Sequence, residues 1–431
     1  RGRDRARLAQ WRPRAETEDP AMDRQSSTPI IVAGTGPVGL IAALALAQTG
    51  FDVQLVGPPA REDDRRTTAL MAPSLDFLGG LGVGERLRAD AAPLKTMRIV
   101  DATGRLVRGR PVTFRASEIG EDAFGYNIPN TVLNRELTTA VAAEDGIDWI
   151  DALVEAWQPG PDTITARLDN GASLKARLAV AADGRNSAAR EAAGIRALRH
   201  RYQQAALVLN FSHSREHAFA STEFHTETGP FTQVPLPGRR SSLVWVVRPQ
   251  EAERLSALPD AEIAALIEDK MQSMLGRVTV EPGRQIYPLS AALPARFADN
   301  RIALVGEAAH VFPPIGAQGL NLGIRDVRDL IAVAGAHAGD PGSRQALAGY
   351  SARRRPDIAA RTAAVNALNA SLLSAFLPAQ IARTAGLGLL SAIGPLRAFF
   401  MREGMEPGSG FSRLFQRPGN RSGGNRPDLT R

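Results

Sequence analysis

Apolar residues run without a break from Pro29 to Ala33, and the chain then turns through Gly34-Thr35-Gly36-Pro37-Val38-Gly39. Leu40–Gln48 reads as a helix with Gly50 as its C-cap, and Phe51–Val56 reads as a second strand. The pattern is strand, glycine turn, helix and strand within 28 residues. Thr163–Arg167 and Leu174–Ala182 flank Asp169-Asn170-Gly171, which predicts a hairpin. Its second strand runs on into Asp183-Gly184-Arg185-Asn186-Ser187. Residues 202–250 alternate in the manner of half-buried strands, as in Ala206–Phe211 and Leu243–Val247. Pro259–Met274 reads as an amphipathic helix, with Ile263, Leu266 and Met274 on one side. Those segments predict an antiparallel sheet with a covering helix, separate from the glycine-turn unit. Arg301–Val305 is a further buried strand, followed by Gly306-Glu307-Ala308-Ala309-His310 and the loop from Pro313 to Gly319. A helix from about Leu320 to Ala334 carries an apolar stripe of Leu320, Ile324, Val327 and Ile331.

The glycine turn carries chemistry. A backbone that turns tightly at a helix N-terminus presents free N–H groups and the positive end of the helix dipole to a pyrophosphate. Gly34, Gly36 and Gly39 are therefore candidate dinucleotide-binding residues. The acid that would bind a ribose hydroxyl belongs near the end of the second strand, where Gly57 stands, with Glu62, Asp63 and Asp64 as possible substitutes.

Charge changes the picture less than its total suggests. The chain has 52 basic and 45 acidic residues, a net charge of +7 and a pI near 10.4. Residues 1–21 carry +2 and residues 406–431 carry +3, so the body between them is nearly neutral. That argues against a nucleic-acid footprint. The basic residues include only three lysines, Lys95, Lys175 and Lys270. With no Cys, the chain has no disulfides, thiolate metal sites or cysteine nucleophiles. His213, His217 and His225 have the spacing of no usual metal site, so no metal is expected. Phe224, Phe231 and Trp245 read as sheet core, and no general base is evident. Residues 1–27, with Met22 just before the first strand, are expected to be a disordered or non-native extension, and 406–431 a solvated tail. The 21 residues 362–382 carry no charge, yet Asn366, Asn369, Pro378 and Gln380 interrupt them. Val365, Leu368, Leu372 and Phe376 form a stripe instead, which predicts an amphipathic helix packed on the body or lying at a membrane surface.

The glycine turn at 34–39, Asp183-Gly184 in AADGRNS and VGEAAHVFPPIGAQGLNLGIRD at 305–326 occur in an order that resembles the group A flavin monooxygenases. Arg66-Thr67-Thr68-Ala69-Leu70, GIRDVRDL and LGLLSAIGPLRAFFMREGM resemble the branch that hydroxylates ubiquinone precursors. The resemblance covers roughly residues 28–405. Departures are Gly57, Glu307 where most members carry Asp, and Ala317 where a common Gly-Gln-Gly begins.

The resemblance implies an α/β (α+β) fold: a Rossmann-like FAD-binding domain of the glutathione-reductase type, an inserted antiparallel-sheet substrate domain and C-terminal helices. Its expected divisions are FAD-binding parts at 28–100, 126–198 and 293–360, substrate-domain segments at 101–125 and 199–292, and C-terminal helices at 361–405. FAD is the implied cofactor, and NAD(P)H or another reductant the electron donor. The implied reaction is hydroxylation of a polyprenyl-phenol ring with O₂, through a flavin C4a-hydroperoxide. Alternatives are a hydroxylase of a small soluble aromatic acid and a non-catalytic flavoprotein scaffold. Also by resemblance, Pro313, Pro314 and Gly316 face the flavin, and Gly319, Leu320 and Asn321 at the helix start meet its pyrimidine edge. Arg66, Arg135, Asp183, Gly184 and Glu307 complete the implied cofactor set. Implied partners are other ubiquinone-biosynthesis proteins and a membrane surface, with a cytoplasmic location peripheral to the inner membrane and no nucleic acid.

Overall fold

A computed structural model describes residues 28–59, 64–104, 110–313, 318–373 and 394–405. The first apolar run forms β1 (Ile30–Ala33), and the glycine turn leads into α1 (Pro37–Gln48) and then β2 (Val53–Val56). Gly36 is the N-cap of α1 and Pro37 its first residue, where a missing N–H breaks no helical bond. Gly50 follows the helix at φ 93°, a left-handed conformation that glycine adopts freely. Leu40 to Leu46 are buried all round, because α1 is enclosed by the sheet on one side and by α2 (Asn130–Ala142) and α4 (Gln318–Ala336) on the others.

The central sheet has six strands in the order Ala298–Asp299, Ile302–Leu304, Leu178–Ala181, β1, β2 and Ile147–Ile150. Every neighbouring pair is parallel except the one at the Ala298–Asp299 edge. Ala33 of β1 is paired with Ala181, so the glycine turn and Asp183-Gly184 leave the sheet side by side at its carboxyl end. Crevices at that end are where open α/β sheets bind ligands. The stretch expected as one strand at 174–182 is two. Ser173–Ala176 alternates and closes the hairpin with Ile164–Leu168, while Leu178–Ala181 crosses into the central sheet. The wholly apolar Leu-Ala-Val-Ala requires cover on both faces, which only the central sheet provides.

β3 (Thr67–Met71) pairs antiparallel with Gly125–Pro129 beside the glycine-turn unit. A second large sheet of eight strands follows. Its middle is β5 (Ala197–His213), β8 (Arg240–Val247), β7 (Gly229–Leu236), β6 (Ala220–Thr226) and β4 (Thr96–Asp101), in that spatial order. One face buries Leu207, Leu209, Phe211, Phe224, Phe231, Leu243 and Trp245 under α3 (Asp260–Lys270), whose Ile263, Ala264 and Ile267 pack on them. Phe231 sits edge-on between Phe224 and Trp245, at 5.8 and 5.2 Å, which places these rings in the core. α3 is shorter than its sequence pattern, because Gln272 and Ser273 at φ 52° and 53° break it before Met274.

The opposite face holds Val208, Val244, Thr232, Glu223 and Ile99, all half-buried, and is turned toward the glycine-turn unit. Two bonds tie them: Thr67 Oγ1 donates to Ser242 Oγ at 2.9 Å, and Asn210 Nδ2 donates to the Arg65 carbonyl at 3.0 Å. α5 (Arg344–Leu373) and α6 (Gly394–Met405) are the last of the described elements. The rest of the uncharged 362–382 stretch lies outside the described residues, as do both tails. Among the described residues no helix is long and apolar enough to cross a membrane.

Candidate cofactor and active site

Close approach dictates two of the three glycines in the turn. A Cβ on Gly34, which sits at φ 111°, would lie 2.3 Å from the Ala182 carbonyl oxygen. A Cβ on Gly39 would lie 1.8 Å from the Gly34 carbonyl oxygen. Gly36 is different: a Cβ there meets nothing within 4 Å, because the N-terminus of α1 opens onto a cleft.

That cleft is about 470 Å³ and is lined by Thr35, Gly36, Pro37, Asp64, Arg66, Asn134, Gln285 and Tyr287, with Pro58 and Pro59 at its edge. Arg66 reaches it from just before β3, with its guanidinium 5.6 Å from the centre of the Tyr287 ring. Asp64 holds Arg66 through bonds of 2.8 and 2.6 Å and also accepts from Asn130 Nδ2 at 2.9 Å. Burial works to raise the Asp64 carboxyl, but its bonds to Arg66 and Asn130 win and hold it below the usual carboxylate range. Asn134 Oδ1 is buried at this cleft with no hydrogen-bond partner. An open glycine N-cap, a cation and an orphaned amide oxygen on one cleft fit the pyrophosphate and sugar of a dinucleotide.

The ribose position has a steric explanation. Gly57 lies at φ 153°, and a Cβ there would come 2.9 Å from Thr35 Cγ2. The end of β2 is thus pressed against the glycine turn and has no room for a carboxylate. Of the acids considered in its place, Asp64 is in the cleft but committed to Arg66 and Asn130, while Glu62 and Asp63 lie outside the described residues.

Asp183 accepts from the Ala189 N–H at 3.2 Å, and Gly184 turns the chain at φ 82°. Arg190, buried, donates to the carbonyls of Ala308 at 2.8 Å and Arg185 at 3.0 Å, which ties the Asp183 turn to the Glu307 turn. Glu307 is half-exposed, with Arg185 3.4 Å away. Beneath it is a charged network that motif reading passed over. Asp326 is fully buried and accepts from the Gly306 N–H at 2.9 Å, His310 Nε2 at 2.7 Å and Arg354 Nε at 2.7 Å. Arg354 also reaches Asp329 and Asp357, at 2.9 and 3.0 Å. Burial opposes the Arg354 cation, yet Asp326, Tyr350, Asp329 and Asp357 around it prevail and raise its pKa. Asp326 therefore fixes the loop that starts at Gly306 from below. The sequence signal was an acid on the buried stripe of α4, one turn on from Leu322 and next to Val327.

Of the remaining expected residues, Arg135 and Asn321 are bonded away from the cleft. Arg135 points outward from α2, 59% exposed, and pairs with Asp90 at 3.2 Å and Glu136 at 3.0 Å. Its neighbour Asn134 lines the cleft instead. The helical period shows why: Asn130, Asn134, Leu137 and Val141 share the buried stripe, and Arg135 lies off it. Asn321 gives its amide to the strand rather than to open space, accepting from the Met71 N–H at 2.9 Å and donating to the Ala69 carbonyl at 2.8 Å. It pins the start of α4 to β3. Leu320 packs on the central core, and a Cβ on Gly319 would meet nothing within 4 Å. Pro313 is buried, while Pro314, Gly316 and Ala317 lie outside the described residues. His213 ends β5 and His217 lies in the turn after it, with ring centres 5.5 Å apart. His225 stands apart and pairs with Glu223 at 2.7 Å.

Parallel sheet, glycine N-cap cleft and facing second sheet together define a dinucleotide-binding flavoprotein architecture. The sequence profile described as FAD binding domain matches residues 27–365, and the chain belongs to that family. It is 34% identical to the ubiquinone hydroxylase UbiL of Rhodospirillum rubrum, over 87% of this chain and 89% of that one. It is 30% identical to the 3-demethoxyubiquinol 3-hydroxylase of Escherichia coli, over 86% and 96% of the two chains. Among solved structures, PqsL, a probable FAD-dependent monooxygenase from Pseudomonas aeruginosa, shares the fold, with a TM-score of 0.72 at 23% identity, covering 84% of this chain and all of that one. Klebsiella pneumoniae HpxO, solved with FAD and uric acid, shares it with a TM-score of 0.69 at 19% identity, over 88% and 97% of the chains.

Proposed function

We propose that this protein is an FAD-dependent monooxygenase that hydroxylates the aromatic ring of a polyprenyl-phenol intermediate of ubiquinone biosynthesis. The observation that carries it is the cleft at Gly36 and Arg66, bonded through Thr67 and Ser242 to the half-buried sheet face that holds Val208, Val244 and Ile99, in a chain with ubiquinone hydroxylases among its relatives. Bound FAD supplies the electron storage and oxygen activation. The protein supplies placement. Gly34, Gly36 and Gly39 would bring the α1 N–H groups to the pyrophosphate, with Arg66 beside it and the Asn134 amide oxygen turned to a sugar hydroxyl. Asp183, Gly184 and Glu307 lie along the same edge of the sheet, with Arg185 between them. Asp326 holds the Gly306 turn, and Asn321 holds the start of α4. Pro313 would wall the ring side of the flavin. Val208, Val244 and Ile99 form an apolar floor for the substrate and exclude water from it.

A nicotinamide nucleotide is the reductant in this reading, and the C-terminal helices bring the protein to a membrane surface where a polyprenyl substrate is held. The test is direct. The purified protein is expected to be yellow, to consume O₂ when reduced, and to add one oxygen atom to a prenylated phenol detected by mass spectrometry. A colourless protein that takes up no added FAD overturns the reading.

A further inference from the structure

The half-buried face of the second sheet carries Val208, Val244 and Ile99 beside the polar Asn210, Ser242 and Thr232, and one carboxylate–imidazole pair. Glu223 and His225 are two apart on β6 and therefore point to the same face. Register places Thr232 of β7 on one side of Glu223 and Ile99 of β4 on the other, with Val244 beyond Thr232. Glu223 Oε1 meets His225 Nε2 at 2.7 Å, and its Oε2 accepts from Thr232 Oγ1 at 3.4 Å. The imidazole is 3% exposed and the carboxylate 18%, so the acid fronts the open face and the histidine backs it. His225 Nδ1 is buried without a hydrogen-bond partner. Other charges on this side are engaged: Asp101, in register with His225, accepts from Thr103, and Glu227 accepts from the Gly104 N–H. Ser242, which bonds Thr67 beside the cofactor cleft, is two residues and two strands away from Glu223. Strand geometry makes that roughly 12 Å.

Hydroxylation at carbon requires an electron-rich ring, and a phenolate is far richer than a phenol. We propose that Glu223, backed by His225 and steadied by Thr232, accepts the hydroxyl proton of the phenol substrate. The O–H bond breaks, its electron pair stays on the phenolate oxygen, and the proton passes to Glu223 Oε2. His225 keeps Oε1 bonded and shares the charge change. This role rests on the proposed function and names the residue that activates the ring.

The experiment uses holoprotein with 2-prenylphenol as the probe, and measures FAD content, KM, kcat and their pH dependence. Glu223→Gln is expected to keep its FAD and a KM within about twofold, while kcat falls by about 100-fold, the scale of general-base assistance. The wild type is expected to lose kcat at acid pH, and Glu223→Gln is expected to lack that acid fall. A ring-fluorinated 2-prenylphenol, already ionised at the assay pH, is expected to recover most of the lost rate. Glu223→Asp, which keeps the acid, is expected to retain intermediate activity and a displaced acid limb, and it carries the test if Glu223→Gln does not fold. Unchanged kcat and pH limb in the FAD-loaded variants overturn the role of Glu223 alone. A wild-type holoprotein that hydroxylates neither phenol overturns the functional reading and this role with it.

Discussion

At the scale of single residues, the glycine turn separates two demands that a motif merges. Gly39 is required by the fold, since its Cβ would strike the Gly34 carbonyl, whereas Gly36 faces open space. Gly39→Ala is expected to lower Tm and lose FAD together. Gly36→Ala is expected to leave Tm of the apoprotein unchanged and weaken FAD binding about tenfold or more, read by flavin fluorescence titration. Asp326 makes the opposite kind of prediction. Its carboxylate is fully buried between Gly306, His310 and Arg354. Asp326→Asn leaves the buried Arg354 charge short of a partner, so a loss of about 3–5 kcal/mol is expected in urea unfolding. A change below about 1 kcal/mol, the level of an exposed pair, is the result against it.

At the scale of elements, α2 shows what helical period does to adjacent residues. A rotation of about 100° between Asn134 and Arg135 sends one into the cleft and the other into solvent. Arg135→Ala is expected to leave FAD affinity within twofold, while Asn134→Leu, which removes the orphaned amide, is expected to weaken it several-fold with little loss of Tm. Equilibrium titration of the two apoproteins with FAD distinguishes them. β3 shows a related effect: its backbone receives the Asn321 side chain almost as it would another strand. A residue that reads as a cofactor contact by motif position thus acts as a tether between helix and strand.

At the scale of the molecule, buried carboxylates set the acid limit. Burial raises the Asp357 carboxyl, but Arg325, Arg361 and Arg354 outweigh it and depress its pKa, and Asp64 is depressed in the cleft. A depressed carboxylate contributes stability above the unfolded value near pH 3.9, and that stability is lost as pH falls through the folded value. Tm is therefore expected to be flat from neutral pH to about pH 5 and to fall below about pH 4. Asp357→Asn is expected to lower Tm at pH 7 and to flatten that acid fall.

Much of this architecture was legible in the chain. Local apolar runs, a glycine turn and helical stripes depend on near neighbours, so the sequence itself determined β1, α1 and β2, the glycine cradle and the alternation of the second sheet. Partners distant in the chain were not legible. Only the tertiary structure split 174–182 between two sheets, chose Asn134 over Arg135, and committed Asp64 to Arg66. It also brought Asp326 to His310 and Arg354, and set Glu223 and His225 on the face turned toward the glycine-turn unit. Those choices follow from burial and register, which pair residues tens to hundreds of positions apart and leave no periodic mark in the sequence.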